Sequence, residues 1–361
     1  MPGITLYTGL AATHGYDSNL DLVSTNPKGA SFNGVEGGAA VVERRGANET
    51  TVALRGSSAT YTLDYRPERW DAGLLIDHHM ALQNGLTMTV GGFYYRDEID
   101  TDRSQRLAGY MLLERSRDTS DAFLRIRSLN RDYLNAVGAA LPAGSLFDVN
   151  SSFSNVRTEA VVGTLLRKDQ RIAPFFQVGV AAIDFTKQID TAVLNRNSRE
   201  VFGIAGLRFT LSPTLHADIG GRVNGRDIDD TRVSHHSSAF FDGKLVWSPS
   251  DKFFVELNID RTNEDPLAAT ALFSEETAAR LFVTTKPTDR INATISGGFV
   301  RQDQIGASLH YDERYLEGKI GFKVAPNAEI FLFGKAAEVT DSATRETSEV
   351  RRIGIGFKLR N

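Results

Sequence analysis

The sequence predicts an all-β fold: a single closed antiparallel transmembrane β-barrel of about eighteen strands. Three observations predict it. Apolar and polar residues alternate over runs of about ten residues along the whole chain. Short and long links follow one another between these runs, and no apolar run approaches the ~20 residues that a membrane-spanning helix needs. We therefore expect residues 1–361 to form one barrel domain in a bacterial outer membrane.

The run from Leu215 to Asp227 shows the alternation most clearly. Side chains of one parity are apolar or absent and those of the other are mainly polar or charged, so one face of the strand is hydrophobic. The same split recurs at residues 291–302 and 253–260. A soluble sandwich alternates in the same way with its apolar face inward. A single strand therefore does not decide the architecture, and the composition and the links must decide it.

The composition excludes several classes of protein. Of the 361 residues 41% are hydrophobic and the mean hydropathy is -0.24, which is too low for a helical membrane protein. A net charge of -4 and a pI of about 6.0 give no indication of nucleic-acid binding. The absence of Cys is compatible with passage through an oxidising periplasm. Met1-Pro2-Gly3 leads directly into a strand-like run without a signal peptide, so we expect the mature chain to begin here.

Turn-forming residues mark the short links, where Pro presets φ, Gly and Asn accept positive φ, and Asp bonds its own backbone. We expect eight periplasmic turns, near residues 45–48, 83–85, 117–119, 168–170, 212–214, 248–251, 286–289 and 325–327. We expect nine longer polar connections, near residues 15–32, 62–70, 98–103, 133–152, 188–198, 228–237, 264–275, 303–312 and 341–348. This number of links joins eighteen strands, and an even number closes such a barrel with both termini in the periplasm.

Aromatic residues gather near the predicted strand ends, as in the interfacial girdles of membrane barrels. Those that flank one turn or approach long connections are Trp247, Phe253, Phe254, Trp70, Tyr94 and Tyr95. Ordinary core aromatics of a soluble sheet are the alternative.

Three short motifs follow one another in order: Gly-Tyr-Asp-Ser-Asn at residues 15–19, a strand, Ser-Pro-Thr turn and strand at 206–215, and Leu-Val-Trp-Ser-Pro at 245–249 followed by Ile-Asp-Arg at 259–261. In this order they resemble the putative β-barrel porin 2 family of bacterial outer membranes. The resemblance extends over most of the chain and is densest from about Phe202 onward. It implies a barrel that acts in exopolysaccharide secretion together with periplasmic export proteins.

If the apolar parity faces lipid, the other parity lines a lumen wide enough for an aqueous channel. The lumen-lining candidates are Arg125, Arg127, His216, Asp218, Arg222, Glu256, Asp260, Arg280, Glu317, Lys319, Lys323, Arg352 and Lys358. Both signs of charge are present at comparable density, which favours a hydrated interior over a strongly ion-selective pore. Alternatively, these charges pair across neighbouring strands and brace the interior.

Arg and Asp recur where strands enter the long connections. The extracellular-rim candidates are Arg96, Asp97, Arg131, Asp132, Arg226, Asp227, Arg301 and Asp303. Such groups can hydrogen-bond sugar hydroxyls or lipopolysaccharide phosphates. Ion pairs that tie adjacent strands together are the alternative.

The connection at residues 133–152 differs from the others because it is apolar and rich in Ala. Since an apolar loop is unfavourable in water, we expect it to fold into the mouth as a gate. The gating candidates are Leu134, Val137, Leu141 and Pro142. Packing as a short helix on other loops is the alternative.

The sequence does not predict catalysis. It has no Gly-x-Ser-x-Gly elbow and no Cys, and the adjacent His pairs at 78–79 and 235–236 point to opposite faces of their strands. We expect no enzyme activity, no cofactor and no metal.

Three functions remain open. The leading one is passage of a hydrophilic substrate, namely secreted polysaccharide if the resemblance holds. A general diffusion porin for small solutes is the alternative in the same class, and a plugged structural or adhesive barrel is one from a different class. The predicted partners are outer-membrane lipid and lipopolysaccharide, a hydrophilic polymer or small solutes, and a periplasmic polysaccharide export protein, with no nucleic acid.

Overall fold

The computed structural model describes residues 3–19, 23–62, 68–99, 102–134, 153–186, 194–268, 270–342 and 344–361. In these ranges eighteen strands form one sheet. They are β1 Gly3–Asp17, β2 Ala30–Arg45, β3 Asn48–Tyr61, β4 Glu68–Ala81, β5 Leu86–Ile99, β6 Asp102–Ser116, β7 Ser120–Tyr133, β8 Asn155–Leu166, β9 Ile172–Phe185, β10 Ser198–Ser212, β11 Leu215–Ile228, β12 His235–Ser250, β13 Phe253–Glu264, β14 Phe273–Thr285, β15 Ile291–Ile305, β16 Leu309–Ala325, β17 Ala328–Asp341 and β18 Thr347–Arg360. No helix in the described part is long and apolar enough to cross a membrane.

Each strand pairs with its sequence neighbours, and β1 also pairs with β18, so the sheet closes into a barrel. All of these pairings are antiparallel, and the β1–β18 register runs from Gly9 opposite Arg360 to Asp17 opposite Arg352. The predicted fold class and strand number are therefore confirmed.

The two parities of a strand face different surroundings. On β11, Ile219 and Val223 point outward and are 45% and 60% exposed. Asp218 and Arg222, which alternate with them, line a cavity in the interior. The outer surface of the barrel is thus apolar, as contact with lipid requires, and the interior is polar.

All eight predicted turns lie at one end of the barrel together with the first residue of β1 and the last residue of β18. Gly46, Asn84 and Gly85 adopt φ of 63°, 60° and 71°, the left-handed region that tight hairpins need. Short turns face the periplasm in this class of barrel, so the opposite end is extracellular.

Two of the predicted long connections are wrong. β5 ends at Ile99 and β6 begins at Asp102, which pair directly. β15 ends at Ile305 and β16 begins at Leu309, with Gly306 at φ 89° in the link. The polar residues around these links belong to the strands and continue their pairing, so polarity alone did not mark a loop.

The aromatic residues divide between the two faces of the wall. Trp247 packs edge-to-face on Phe253 with ring centroids 5.3 Å apart beside a periplasmic turn, as a girdle would. Tyr95 instead lines an interior cavity, where the Arg55 guanidinium lies 4.9 Å from its ring centroid. Its predicted place in a girdle is wrong because it has the inward parity of β5.

The seam between β12 and β13 is the weakest in the wall. The two strands pair only from Gly243 opposite Ile259 to Trp247 opposite Val255, and again at the turn. Above this stretch, β12 pairs with β11 and β13 pairs with β14. The extracellular half of the seam is therefore closed by side chains.

Contacts across this seam show that the end of the β13–β14 hairpin lies inside the wall. The Arg261 guanidinium of β13 stacks 4.6 Å from the Phe240 ring centroid, and the His236 and Phe273 rings lie 5.4 Å apart. Phe240 and His236 have the inward parity of β12, whereas Arg261 and Phe273 have the outward parity of their strands. The outer face of the hairpin end thus packs on the inner face of β12.

Candidate functional site

The connection between β13 and β14 crosses the extracellular mouth of the barrel. We call residues 265–268 together with residues 270–272 the crossing segment. At its start, the Asp265 carboxylate accepts hydrogen bonds from Arg131 Nη1 at 2.5 Å, Tyr133 Oη at 3.0 Å and Asn155 Nδ2 at 3.1 Å. These donors belong to β7 and β8, several strands away around the wall. One carboxylate therefore fastens the crossing segment to a distant part of the barrel.

The next residues of the crossing segment contact another side of the mouth. The backbone N–H of Leu267 donates to Gln304 Oε1 on β15 at 2.9 Å. The Leu267 side chain packs against Tyr311 of β16 and Val339 of β17. Within two residues the chain thus passes from the β7–β8 side of the mouth to the β15–β17 side.

The end of the crossing segment is buried. Ala271 and Leu272 are 0% exposed, and the Ala271 carbonyl accepts a hydrogen bond from Arg196 Nε at 2.9 Å. Leu272 joins a hydrophobic cluster with Leu194 of the β9–β10 connection and Ile228 at the end of β11. Burial of these apolar side chains stabilises the segment inside the mouth.

A cavity of about 260 Å³ lies between the hairpin end and the wall of β7 to β11. A continuous chain of ion pairs lines it: Arg125 to Glu159 at 3.1 Å, Glu159 to Arg157 at 3.4 Å, and Arg157 to Glu200 at 3.1 Å. The Glu159 and Glu200 side chains are only 9% and 4% exposed. Partial burial strengthens these attractions and holds the guanidinium groups in place.

Two further cavities continue the lumen. One of about 870 Å³ extends towards β3 to β7, and Arg127 and Arg131 line both it and the first cavity. The other, of about 470 Å³, lies nearer the periplasmic end beside Arg208 and Asp218. This last pair is bidentate, with both N–O distances 2.6 Å.

The lumen-lining candidates all lie on the inward parity, and they divide into two groups. The first group forms ion pairs: Arg125 with Glu159, Asp218 with Arg208, Arg222 with Asp242, Glu256 with Lys244, Arg280 with Asp260, and Arg352 with Asp17. Among the described residues the second group has no ion-pair partner within 4.0 Å: Arg127, His216, Glu317, Lys319, Lys323 and Lys358. The bracing interpretation fits the first group, and the hydrated-lumen interpretation fits the second.

The rim candidates are not all at the rim. Asp97 and Arg226 point inward and are 4% and 3% exposed, and Arg131 bonds the crossing segment. Arg226 Nε donates to Ser198 Oγ at 3.0 Å, while its guanidinium stacks on Phe273. Asp97 and Arg226 are buried and Arg131 is held by Asp265, so these three residues do not form the sugar-binding ring that the sequence suggested.

The other rim candidates lie nearer the surface or on the outer face. Arg96 pairs with Glu98 at 2.9 Å, Asp227 is exposed beside His235, and Arg301 pairs with Asp303 at 3.0 Å. Asp132 accepts hydrogen bonds from Gln105 and Ser154 on the flanking elements. The Asp132 contacts match the interpretation in which rim residues tie adjacent segments together.

The predicted gating loop falls largely outside the described residues, including Val137, Leu141 and Pro142. Leu134 is described, and its backbone N–H donates to the Arg103 carbonyl at 2.7 Å. Its role in gating stays a prediction.

Sequence reasoning missed the crossing segment, although the signal was present. Residues 264–275 were expected to be a polar connection, but Pro266-Leu267-Ala268-Ala269-Thr270-Ala271-Leu272-Phe273 is almost entirely apolar. The criterion that singled out residues 133–152 applies equally here. In the part of the chain that the structure describes, no group of three His, Asp or Glu could hold a metal ion.

A closed eighteen-stranded wall with an apolar outside, a charged inside and turns gathered at one end defines a bacterial outer-membrane β-barrel. Residues 155–361 match the family described as Putative beta-barrel porin 2, and the chain belongs to that family. No curated protein matches the sequence.

Solved structures share the fold at low sequence identity. The outer membrane protein OpdK from Pseudomonas aeruginosa is 10% identical with a TM-score of 0.52, and 99% of each chain is covered. OccK9 (OpdG) from the same organism is 10% identical with a TM-score of 0.52, covering 99% of this chain and 98% of its own. OccK2 (OpdF), solved in complex with glucuronate, is 9% identical with a TM-score of 0.51 and the same coverage.

Proposed function

We propose that this barrel is a channel for small hydrophilic solutes and that the crossing segment limits their size. The observation that carries the proposal is the course of the crossing segment through the mouth. Three donors hold Asp265 on one side and Leu267 packs on another, so the segment occupies part of the mouth beside the cavities. A small solute needs only the space beside the segment, whereas a polymer would have to displace it.

The lining of the cavities supports the same proposal. Charged groups of both signs can replace the water shell of a polar solute without holding one ion tightly. The structures of OpdK with vanillate and of OccK2 with glucuronate show that barrels of this architecture accommodate small organic anions. Small-solute passage is therefore better supported than polysaccharide export.

Single-channel conductance in planar bilayers tests the proposal. The wild type should conduct by itself, and liposomes containing it should admit glucose and exclude dextran. Asp265→Asn removes the charge that Arg131, Tyr133 and Asn155 share, so conductance should rise as the segment loosens.

Asp303→Asn is the matched control, because among the described residues this mouth carboxylate pairs only with Arg301 on its own strand, and it lies outside the crossing segment. It should leave conductance unchanged. If neither the wild type nor Asp265→Asn conducts, the channel proposal is contradicted and a plugged structural barrel is favoured. Conductance that appears only with a periplasmic export protein would favour polysaccharide export.

A further inference from the structure

We propose that the 260 Å³ cavity binds a small hydroxylated carboxylate of the hexuronate class, held by Arg127 and two buried asparagines. This inference rests on the proposed passage of small solutes, and it names the class of solute. The cavity lies beside the crossing segment, where a passing solute is most confined.

One arginine of the cavity is available to an anion, although the carboxylate of Glu264 also lines the cavity and keeps the lining as a whole close to neutral. The other four lining arginines, Arg125, Arg131, Arg157 and Arg222, each pair with a carboxylate. Arg127 has no ion pair or hydrogen bond within the described residues, and it lines both this cavity and the larger neighbouring one. A guanidinium that is half-buried and unpaired is a ready partner for a carboxylate, which it can bind through two parallel hydrogen bonds.

The asparagines favour hydroxyl groups. Asn263 is 7% exposed and Asn224 is 6% exposed, and both line the cavity. Asn263 Nδ2, Asn263 Oδ1 and Asn224 Oδ1 are buried without a hydrogen-bond partner in the described part of the chain. Buried polar groups are normally satisfied, so these atoms call for one acceptor and two donors from a guest.

The combination excludes simpler guests. An inorganic anion or a plain carboxylate would satisfy Arg127 but would offer no donors to the two amide oxygens. A neutral sugar would satisfy the amides and leave the guanidinium unpaired. The volume equals that of about nine water molecules at ~30 Å³ each, on the order of one sugar ring.

Calorimetric titration of the whole detergent-solubilised barrel with glucuronate, glucose and acetate tests the site. Glucuronate should bind more tightly than the other two. Arg127→Gln should weaken glucuronate binding at least tenfold, the loss expected for a charge-assisted bidentate contact. Lys358→Gln, which removes an unpaired luminal charge on a different part of the wall, should leave it unchanged.

Asn263→Leu tests the role of the asparagines independently of that of Arg127. It keeps the approximate side-chain shape, so it should weaken glucuronate binding and leave acetate binding as it is. Equal binding of glucuronate and acetate by the wild type would overturn the proposal, as would equal losses in Arg127→Gln and Lys358→Gln. No binding of any probe would mean that the cavity holds only water.

Conductance of the same variants keeps the two proposals distinct. If the wild type conducts but does not bind glucuronate, the proposed binding site is wrong and the proposed channel stands. If it binds glucuronate but does not conduct, the proposed channel is wrong and the binding site stands.

Discussion

The wall of β7 to β14 and the wall of β16 to β18 both carry charged side chains but use them differently. On the first, which we call the paired wall, most inward Arg and carboxylate groups contact one another, as in Arg208–Asp218 and Arg222–Asp242, with Arg127 as an exception. On the second, the lysine wall, Arg352 pairs with Asp17 of β1, but Lys319, Lys323 and Lys358 have no ion-pair partner in the described part. Pairing fixes side chains and cancels their fields, whereas unpaired charges act on passing ions. The paired wall should therefore contribute stability, and the lysine wall selectivity.

Breaking one buried pair should give the largest effect. Glu200→Gln keeps the side-chain shape but leaves Arg157 with a single, shared carboxylate in a buried environment. We expect the free energy of unfolding to fall by about 3 kcal/mol. Denaturant titration of the barrel in detergent or lipid vesicles measures it.

Glu317→Gln is the matched control on the lysine wall. Glu317 is exposed to the lumen and has no ion-pair partner among the described residues, so its loss should change stability by no more than about 0.5 kcal/mol. Similar losses for both variants would remove the distinction between the walls.

Ion selectivity, in contrast to stability, should depend on the lysine wall. Each unpaired lysine at ~10 Å from a permeating ion contributes about 0.4 kcal/mol in water, or about a twofold preference for anions. Lys358→Gln should therefore reduce the chloride-to-potassium permeability ratio about twofold in 0.1 M salt. The effect should disappear at 1 M, where the Debye length is about 3 Å.

The neutral double variant Arg208→Gln with Asp218→Asn is the comparison for the paired wall. It removes both members of a bidentate pair. Reversal potentials should not move, because the pair contributes no net charge to the lumen. A shift as large as that of Lys358→Gln would show that paired charges also act on ions.

A loop contact outside both walls should give the smallest effect. Burial raises the pKa of Asp230, but hydrogen bonds from the Arg232 side chain and from the backbone N–H groups of Arg232 and Asn195 outweigh it, so the pKa is lowered. The stabilisation is complete above the unfolded-state value of about 3.8 and is lost as pH falls through the lower folded-state pKa.

Asp230→Asn should therefore be less stable than the wild type at neutral pH, and the difference should shrink below pH ~3.8. Urea midpoints across pH 2–7 measure it. A difference that is independent of pH would mean that the carboxylate charge is not responsible.

The sequence predicted the wall better than the mouth, for a physical reason. Strand parity and turn chemistry are local, so Asn84-Gly85 and the alternation at Leu215–Asp227 were sufficient to predict the turn and the two faces. The crossing segment depends on Asp265 meeting Arg131, which lies 134 residues earlier in the chain. No local pattern reports such a contact.

The same limit applies to individual side chains. Parity placed Arg125 and Arg127 on the inward face, but Arg125 pairs with Glu159 whereas Arg127 has no ion-pair partner among the described residues. The sequence therefore predicted some of the residues that line the lumen, missed others such as Arg157 and Glu200, and did not predict which of them are neutralised.

The β12–β13 seam has a mechanical consequence. It is closed by six paired positions, whereas β16 and β17 share fourteen. If the barrel widens, separating β12 from β13 breaks fewer backbone hydrogen bonds than separating any other pair of neighbouring strands. We therefore expect these two strands to separate first. Amide hydrogens of residues 260–264 should accordingly exchange with solvent faster than those at the centre of β16. The β12–β13 seam is thus the place where we expect the barrel wall to open most easily.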